Sequence, residues 1–178
     1  TQGFFPFPVD NLNLRNMFAE YLMKKKLTDI VVVAPDAGAA KDAGRLAKLL
    51  DAALAVLTKE RPTFNMAEVT SVVGDVEGRT CILYDDMVDT AGSVCAAHQA
   101  LIDHGANKDV YLVASHAVFS GPAVDRLRET NFKEVIVSDS IPVTSEKEFR
   151  GLTVLPIASL LARVIKCVHE NKSVTEAL

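Results

Sequence analysis

Asp85-Asp86-Met87-Val88-Asp89-Thr90-Ala91-Gly92-Ser93 follows an apolar run at 80–84 and precedes a helical pattern at 94–103. That order reads as a strand, a small-residue loop and a helix N-terminus. Such a loop turns several backbone N–H groups toward one point, where the helix dipole and the hydroxyls of Thr90 and Ser93 favour a phosphate. Asp85 and Asp86 stand beside this anion site and suit the vicinal hydroxyls of a sugar, directly or through Mg2+. A phosphate pocket formed by Asp89, Thr90, Ala91, Gly92 and Ser93 next to a diol binder outlines a ribose 5-phosphate site. A helix cap with surface acids is the competing reading of the same residues.

Working outward, the alternation of strand and helix patterns extends over most of the chain. Residues 1–11, with Pro6 and Pro8, form an irregular or extended lead-in, and Leu14, Phe18, Tyr21 and Leu22 make an apolar helical stripe. The β-branched run at 29–34 suits a parallel strand covered on both faces. A helix at 40–50, a strand at 53–57, a long polar loop at 58–70 and a short strand at 71–74 follow. Beyond the central loop come a helix at 94–104, a strand at 109–115, a helix at 122–130, strands at 134–137 and 152–155, and an amphipathic closing helix at 157–170. The expected architecture is α/β, a doubly wound, mainly parallel sheet flanked by helices. Ligands of such sheets bind beyond the carboxyl ends of strands, where the loops at Asp36, Lys59, Asp85 and His116 begin, so these four loops are expected to form one site. No repeat or Pro/Gly-rich linker interrupts the pattern, and residues 1–178 are read as a single domain.

The composition bounds the function classes. With 49% hydrophobic and 24% charged residues the chain is globular, and no apolar run approaches the roughly 20 residues that span a bilayer. A net charge of −4 argues against nonspecific binding to nucleic acid. Cys81, Cys95 and Cys167 lack metal-ligand spacing and read as thiols of a reducing compartment, which makes the cytoplasm the expected location. The start carries neither an initiator Met nor a signal-peptide pattern, and is expected to be the middle of a longer protein.

Two further segments carry chemistry. Pro35-Asp36-Ala37-Gly38-Ala39 joins a buried strand to a helix, and Gly38 lets backbone approach a ligand closely. A diphosphate fits there, with Asp36 placed to hold Mg2+ against its oxygens; a tight turn capped by Asp36 is the alternative. Lys59-Glu60-Arg61-Pro62 supplies two cations suited to charge developing in phosphoryl transfer, or else a solvated charge cluster. The Gly-x-x-x-x-Gly-Lys and Gly-x-Gly-x-x-Gly signatures are absent, so ordinary P-loop kinase and dinucleotide-binding readings fail.

The chain resembles the C-terminal half of the ribose-phosphate diphosphokinases, the phosphoribosyl diphosphate (PRPP) synthetases. Five segments carry the likeness: Gln2-Gly3-Phe4-Phe5 with Pro8-Val9-Asp10-Asn11-Leu12; Pro35-Asp36-Ala37-Gly38; Lys59-Glu60-Arg61; Val73-Gly74-Asp75-Val76 with the loop ending at Ser93; and His116 with Phe119-Ser120-Gly121-Pro122. The resemblance implies a type I phosphoribosyltransferase-like fold and transfer of the diphosphoryl group of ATP to the 1-hydroxyl of ribose 5-phosphate, giving AMP and PRPP with Mg2+. By position, Lys59 and Arg61 match catalytic cations, and Asp36, Ala37, Gly38 and Ala39 match the diphosphate loop. Asp85, Asp86, Asp89, Thr90, Ala91, Gly92 and Ser93 match the ribose 5-phosphate binders, and Asp36 and Asp10 match metal positions. It also implies a homo-oligomer, with most adenine contacts in a half that this chain lacks, so that the chain alone turns over negligibly. The departures are Pro6, where relatives carry Asp, Ala39, where they carry Gly, and Ser93, where they carry Thr. A noncatalytic associated regulatory subunit and a nucleobase phosphoribosyltransferase are the alternatives; the Lys59-Glu60-Arg61 segment disfavours the second.

Overall fold

The computed structural model describes residues 2–60 and 69–177. Its core is a seven-stranded sheet in the order β3-β2-β1-β4-β5-β6-β7. The strands are β1 (Ile30–Ala34), β2 (Ala53–Glu60), β3 (Val69–Val73), β4 (Thr80–Val88), β5 (Tyr111–Ala117), β6 (Glu134–Ser138) and β7 (Leu152–Leu155). Every neighbouring pair is parallel except β2 with β3, which is antiparallel. The helices are α1 (Arg15–Lys24), α2 (Ala40–Leu49), α3 (Gly92–Asp103), α4 (Ala123–Thr130) and α5 (Ala158–His169).

Alternation along β1 explains the two layers. Val31 and Val33 pack with Val94, Ala97 and Leu101 of α3 and with Ala123 and Leu127 of α4. Val32 and Ala34 point the other way, into Phe18 and Leu22 of α1 and Ala43 and Leu46 of α2. A strand buried on both faces needs apolar side chains at every position, which is what the uninterrupted β-branched run supplies. Glu134 at the start of β6 ties α1 to the sheet, accepting hydrogen bonds from Tyr21 Oη at 2.6 Å and Thr153 Oγ1 at 2.6 Å and pairing with Lys25 Nζ at 2.7 Å.

Connections from β1 through α2 run to one side and those from β4 through α3 to the other, so the strand order switches direction between β1 and β4. At such a switch point the carboxyl ends of the two strands open a crevice. The loop after β1 begins at Asp36, and β4 carries Asp85 and Asp86.

Three of the differences from the sequence expectation bear on the site. First, β4 continues to Val88, so the acid pair lies on the strand and not in a loop. Asp85, Met87 and Val88 pair with Ala114, His116 and Ala117, and this cross-strand ladder outweighs the poor strand propensity of consecutive aspartates. Second, the polar stretch after residue 57 is not a loop from its start. Thr58, Lys59 and Glu60 pair with Ser71, Thr70 and Val69, making the last rungs of a hairpin. Lys59 is therefore a strand residue, while Arg61 lies outside the described residues. Third, β5 runs to Ala117, so His116 belongs to a strand. The closing helix is where expected, but of its apolar stripe only Leu160 is buried, and Leu161, Ile165 and Val168 are exposed.

Candidate active site

Two adjoining cavities occupy the crevice and share Asp36, Asp85 and Asp86. The smaller, of about 280 Å³, is completed by Met87, Val88, Asp89, Thr90, Ala91, Ser93 and Val94. The larger, of about 710 Å³, is bounded by residues 11–15, Gly38, Ala39, Asp42, Arg45, Tyr84, Ser115 and His116. Three of the four loops expected to meet do so, those at Asp36, Asp85 and His116.

The loop entering α3 is held from behind. Phe119 and Ser120 donate their amides to the carbonyls of Val88 at 3.0 Å and Asp89 at 2.9 Å. Arg126 of α4 donates Nη1–H to the Thr90 carbonyl at 3.0 Å. The Ala91 carbonyl accepts the Cys95 amide at 3.0 Å. The loop's carbonyls are thus engaged, and the amides of the first turn, Gly92, Ser93 and Val94, have no acceptor within the helix. No side chain caps α3, so the reading of Thr90 or Ser93 as an ordinary helix cap does not hold. Ala91 takes φ +62°, a left-handed conformation that costs an L-residue about 1–2 kcal/mol and that the surrounding bonds enforce. Asp89, Thr90, Gly92 and Ser93 are exposed, whereas Ala91 is buried.

The carboxylates differ in environment. Asp85 is half-buried, and burial, with the Asp86 and Asp36 charges adding to it, raises its carboxyl from 3.8 to about 6, against the opposing effect of the Asp86 amide. Its Oδ1 accepts that amide at 2.8 Å. Asp86 and Asp36 are exposed. Asp36 Oδ1 accepts the Ala39 amide at 3.0 Å, so the capped-turn reading is realised with one oxygen of the carboxylate, and the exposed side chain also lines both cavities. Ala37 and Gly38 form the exposed tip of this turn. A Cβ at Gly38 would meet Asp36 Oδ1 at 3.1 Å, so a side chain there would crowd the carboxylate. Asp10 is exposed and adjoins Asn11, where the lining of the larger cavity begins.

Sequence reasoning missed Arg126 and the cluster of Arg15, Asp42 and Arg45. Arg15 and Arg45 pair with Asp42 Oδ1 at 2.8 and 3.2 Å on the wall of the larger cavity. The spacing of Asp42 and Arg45 on one helix signals their pairing, but nothing local signals Arg15, 27 residues away in sequence from Asp42, or Arg126, 36 away from Thr90. Among the described residues no group of three or more His, Cys, Asp or Glu is arranged to hold a metal ion by itself.

A doubly wound sheet whose switch point holds a small-residue loop entering a helix, with two aspartates beside it, defines a type I phosphoribosyltransferase-like protein. The chain belongs to the phosphoribosyl synthetase-associated domain family, whose model matches residues 58–178. It is 45% identical over 176 residues to the ribose-phosphate pyrophosphokinase of Caldanaerobacter subterraneus subsp. tengcongensis, covering 98% of this chain and 55% of that protein. It is 44% identical over 174 residues to the enzyme of the same name from Bacillus subtilis, with the same coverage. Among solved structures it resembles the phosphoribosylpyrophosphate synthetase of Mycobacterium smegmatis, with a TM-score of 0.86 and 43% identity over 96% of this chain and 55% of that one. The adenine phosphoribosyltransferase of Giardia lamblia shares the fold, with a TM-score of 0.57 at 14% identity over 70% of this chain and 75% of that one. The chain spans about half the length of the curated relatives it matches.

Proposed function

We propose that this chain carries the ribose 5-phosphate site of a ribose-phosphate pyrophosphokinase, which transfers the diphosphoryl group of ATP to the 1-hydroxyl of the sugar and releases AMP and PRPP. The observation that carries this reading is the loop entering α3. Its carbonyls are bound from behind, its first-turn amides have no acceptor within the helix, and Asp85 and Asp86 stand on the adjoining strand. In this reading Asp89, Thr90, Ala91, Gly92 and Ser93 cradle the 5-phosphate, and Asp85 and Asp86 take the ribose hydroxyls. The turn of Asp36, Ala37, Gly38 and Ala39 faces the diphosphate across the shared wall of the two cavities. Lys59 and Arg61 stabilise the transferring group; fixed positive charge at that point acts on charge that develops in the transition state.

Mg2+ fits these residues only together with substrate. It binds through one or two carboxylates plus phosphate oxygens and water, and Asp36, with one oxygen engaged in its own turn, offers one such ligand; Asp10 is the second we assign. When bound, the ion neutralises phosphate charge. We further assign a homo-oligomeric form, supported by the apolar residues that α5 leaves exposed, and a cytoplasmic setting, supported by three free cysteines and by the lack of a membrane-spanning helix among the described residues.

The test is AMP release from ATP and ribose 5-phosphate by the longest natural form of the protein, with Lys59→Ala and Arg61→Ala beside it. Loss of kcat by orders of magnitude with little change in KM for ribose 5-phosphate is expected of cations acting on the transition state. No AMP from any form, with ribose 5-phosphate still bound, would assign the chain instead to a noncatalytic associated subunit.

A further inference from the structure

The β5–β6 ladder is irregular beside the larger cavity. Between Ala114 and His116 β5 advances two residues while β6 advances one, from Val137 to Ser138, so Ser115 bulges out of register. Bulges of this kind occur next to active sites and re-aim a side chain. Here two hydroxyls occupy the gap. Ser138, fully buried, donates Oγ–H to the Ser115 carbonyl at 2.6 Å. Ser140 Oγ lies 3.1 Å from the same carbonyl and 2.8 Å from Ser138 Oγ, and the Ser140 amide donates to Ser138 Oγ at 3.2 Å. His116 Nδ1 lies 2.8 Å from Ser140 Oγ.

Ser140 has a single hydroxyl proton, and three atoms in this cage could accept it: the Ser115 carbonyl, Ser138 Oγ and a bare His116 Nδ1. The arrangement that satisfies the most contacts puts a proton on Nδ1, with Ser140 Oγ accepting it and keeping its own proton for the cage. In that tautomer Nε2, on the far side of an exposed ring lining the cavity shared with Asp85 and Asp86, is a bare acceptor.

We infer that His116, clamped by Ser140 over the Ser115 bulge, is a specificity-determining residue of the sugar site, its Nε2 accepting a hydrogen bond from a pentose hydroxyl. The inference rests on the ribose 5-phosphate reading of the crevice. Asp85, Asp86 and Nε2 supply three acceptors to the wall of a cavity whose charged donors are Arg15 and Arg45, and they suit the O–H donors of a sugar edge. The wall does not serve a metal ion alone, since no ligand group of three or more is assembled among the described residues.

Two measurements test it on the full chain. Nitrogen-15 NMR of the histidine rings is expected to show His116 protonated at Nδ1 in the wild type and shifted to the Nε2-protonated form in Ser140→Ala. An Nε2-protonated wild type would overturn the clamp whatever the ligand. Calorimetry with ribose 5-phosphate and with inorganic phosphate then separates the sugar from its phosphate. His116→Leu is expected to raise the Kd for ribose 5-phosphate roughly three- to tenfold, the range for one hydrogen bond, with that for inorganic phosphate unchanged. His116→Gln, which keeps an acceptor within reach of the Nε2 position, is expected to recover most of the loss. Equal affinity of wild type and His116→Leu for ribose 5-phosphate would overturn the role of His116 and leave the sugar site standing. A wild type that binds phosphate but not ribose 5-phosphate would overturn the sugar reading itself and the role of Nε2 with it.

Discussion

Replacing Asp85 with Asn is expected to stabilise the fold while weakening the site. The carboxyl is raised from 3.8 to about 6, mainly by burial and then by the charges of Asp86 and Asp36. Each tenfold change in proton affinity is worth about 1.36 kcal/mol, so the ionised carboxylate costs the folded chain up to about 3 kcal/mol. Water in the open cavity screens part of this, which leaves about 1–2 kcal/mol. Because folding raises this carboxyl, its contribution to stability is fully present below pH 3.8 and is lost as the pH rises through 6. Asn removes the charge and keeps an oxygen for the Asp86 amide, which Asp85 Oδ1 accepts at 2.8 Å. Urea unfolding of both proteins across this range is expected to give matching curves at the acid end and a more stable variant above pH 6. A variant less stable than wild type above pH 6, or a difference that does not change with pH, would refute the reasoning. The same substitution is expected to weaken ribose 5-phosphate binding, so the residue trades stability for function.

Three further outcomes follow from particular contacts. Gly74 has φ +118°, and a Cβ there would lie 2.9 Å from Ala55 Cβ and 3.0 Å from Ala55 Cα, so Gly74→Ala is expected to cost about 2–4 kcal/mol in chemical denaturation by strain and overpacking together. Burial opposes ionisation of Glu134, but hydrogen bonds from Lys25, Thr153 and Tyr21 outweigh it and hold the carboxyl below its ordinary 4.5. The stability this gives is present above pH 4.5 and lost as the pH falls below it, and Glu134→Gln is expected to lose about 1–2 kcal/mol at neutral pH and to flatten that acid limb in urea titrations. Thr90→Ala and Ser93→Ala are each expected to weaken ribose 5-phosphate by about 1–3 kcal/mol in calorimetry, the range for bonds to a charged group.

The central strands and the switch point were legible because burial on both faces writes itself into sequence as an uninterrupted apolar run, β-branched at 30–33 in β1 and mixed at 81–84 in β4. The end of β4 was not, since Asp85 and Asp86 look like loop residues until their pairing partners on β5 are known, and that pairing is non-local. The hairpin of β2 and β3 was hidden for the same reason: Thr58, Lys59 and Glu60 read as polar loop, and only their register with Val69, Thr70 and Ser71 makes them strand. In the crevice, the loop from Asp89 to Ser93 was legible from its small residues before a helix. Arg126, Ser138 and Ser140 were invisible, because each acts on a residue more than 20 positions away in sequence or through a bulge that only the ladder defines.

The central claim, that the loop entering α3 cradles the phosphate of a pentose phosphate while Asp85 and Asp86 hold its hydroxyls, is tested most directly by a crystal structure of the chain with ribose 5-phosphate. The expected result is a phosphate on the amides of the first turn of α3 and the side chains of Thr90 and Ser93, with the ribose ring turned toward Asp85 and Asp86. A sugar phosphate bound elsewhere, or seated on the loop with its hydroxyls facing away from both aspartates, would contradict it.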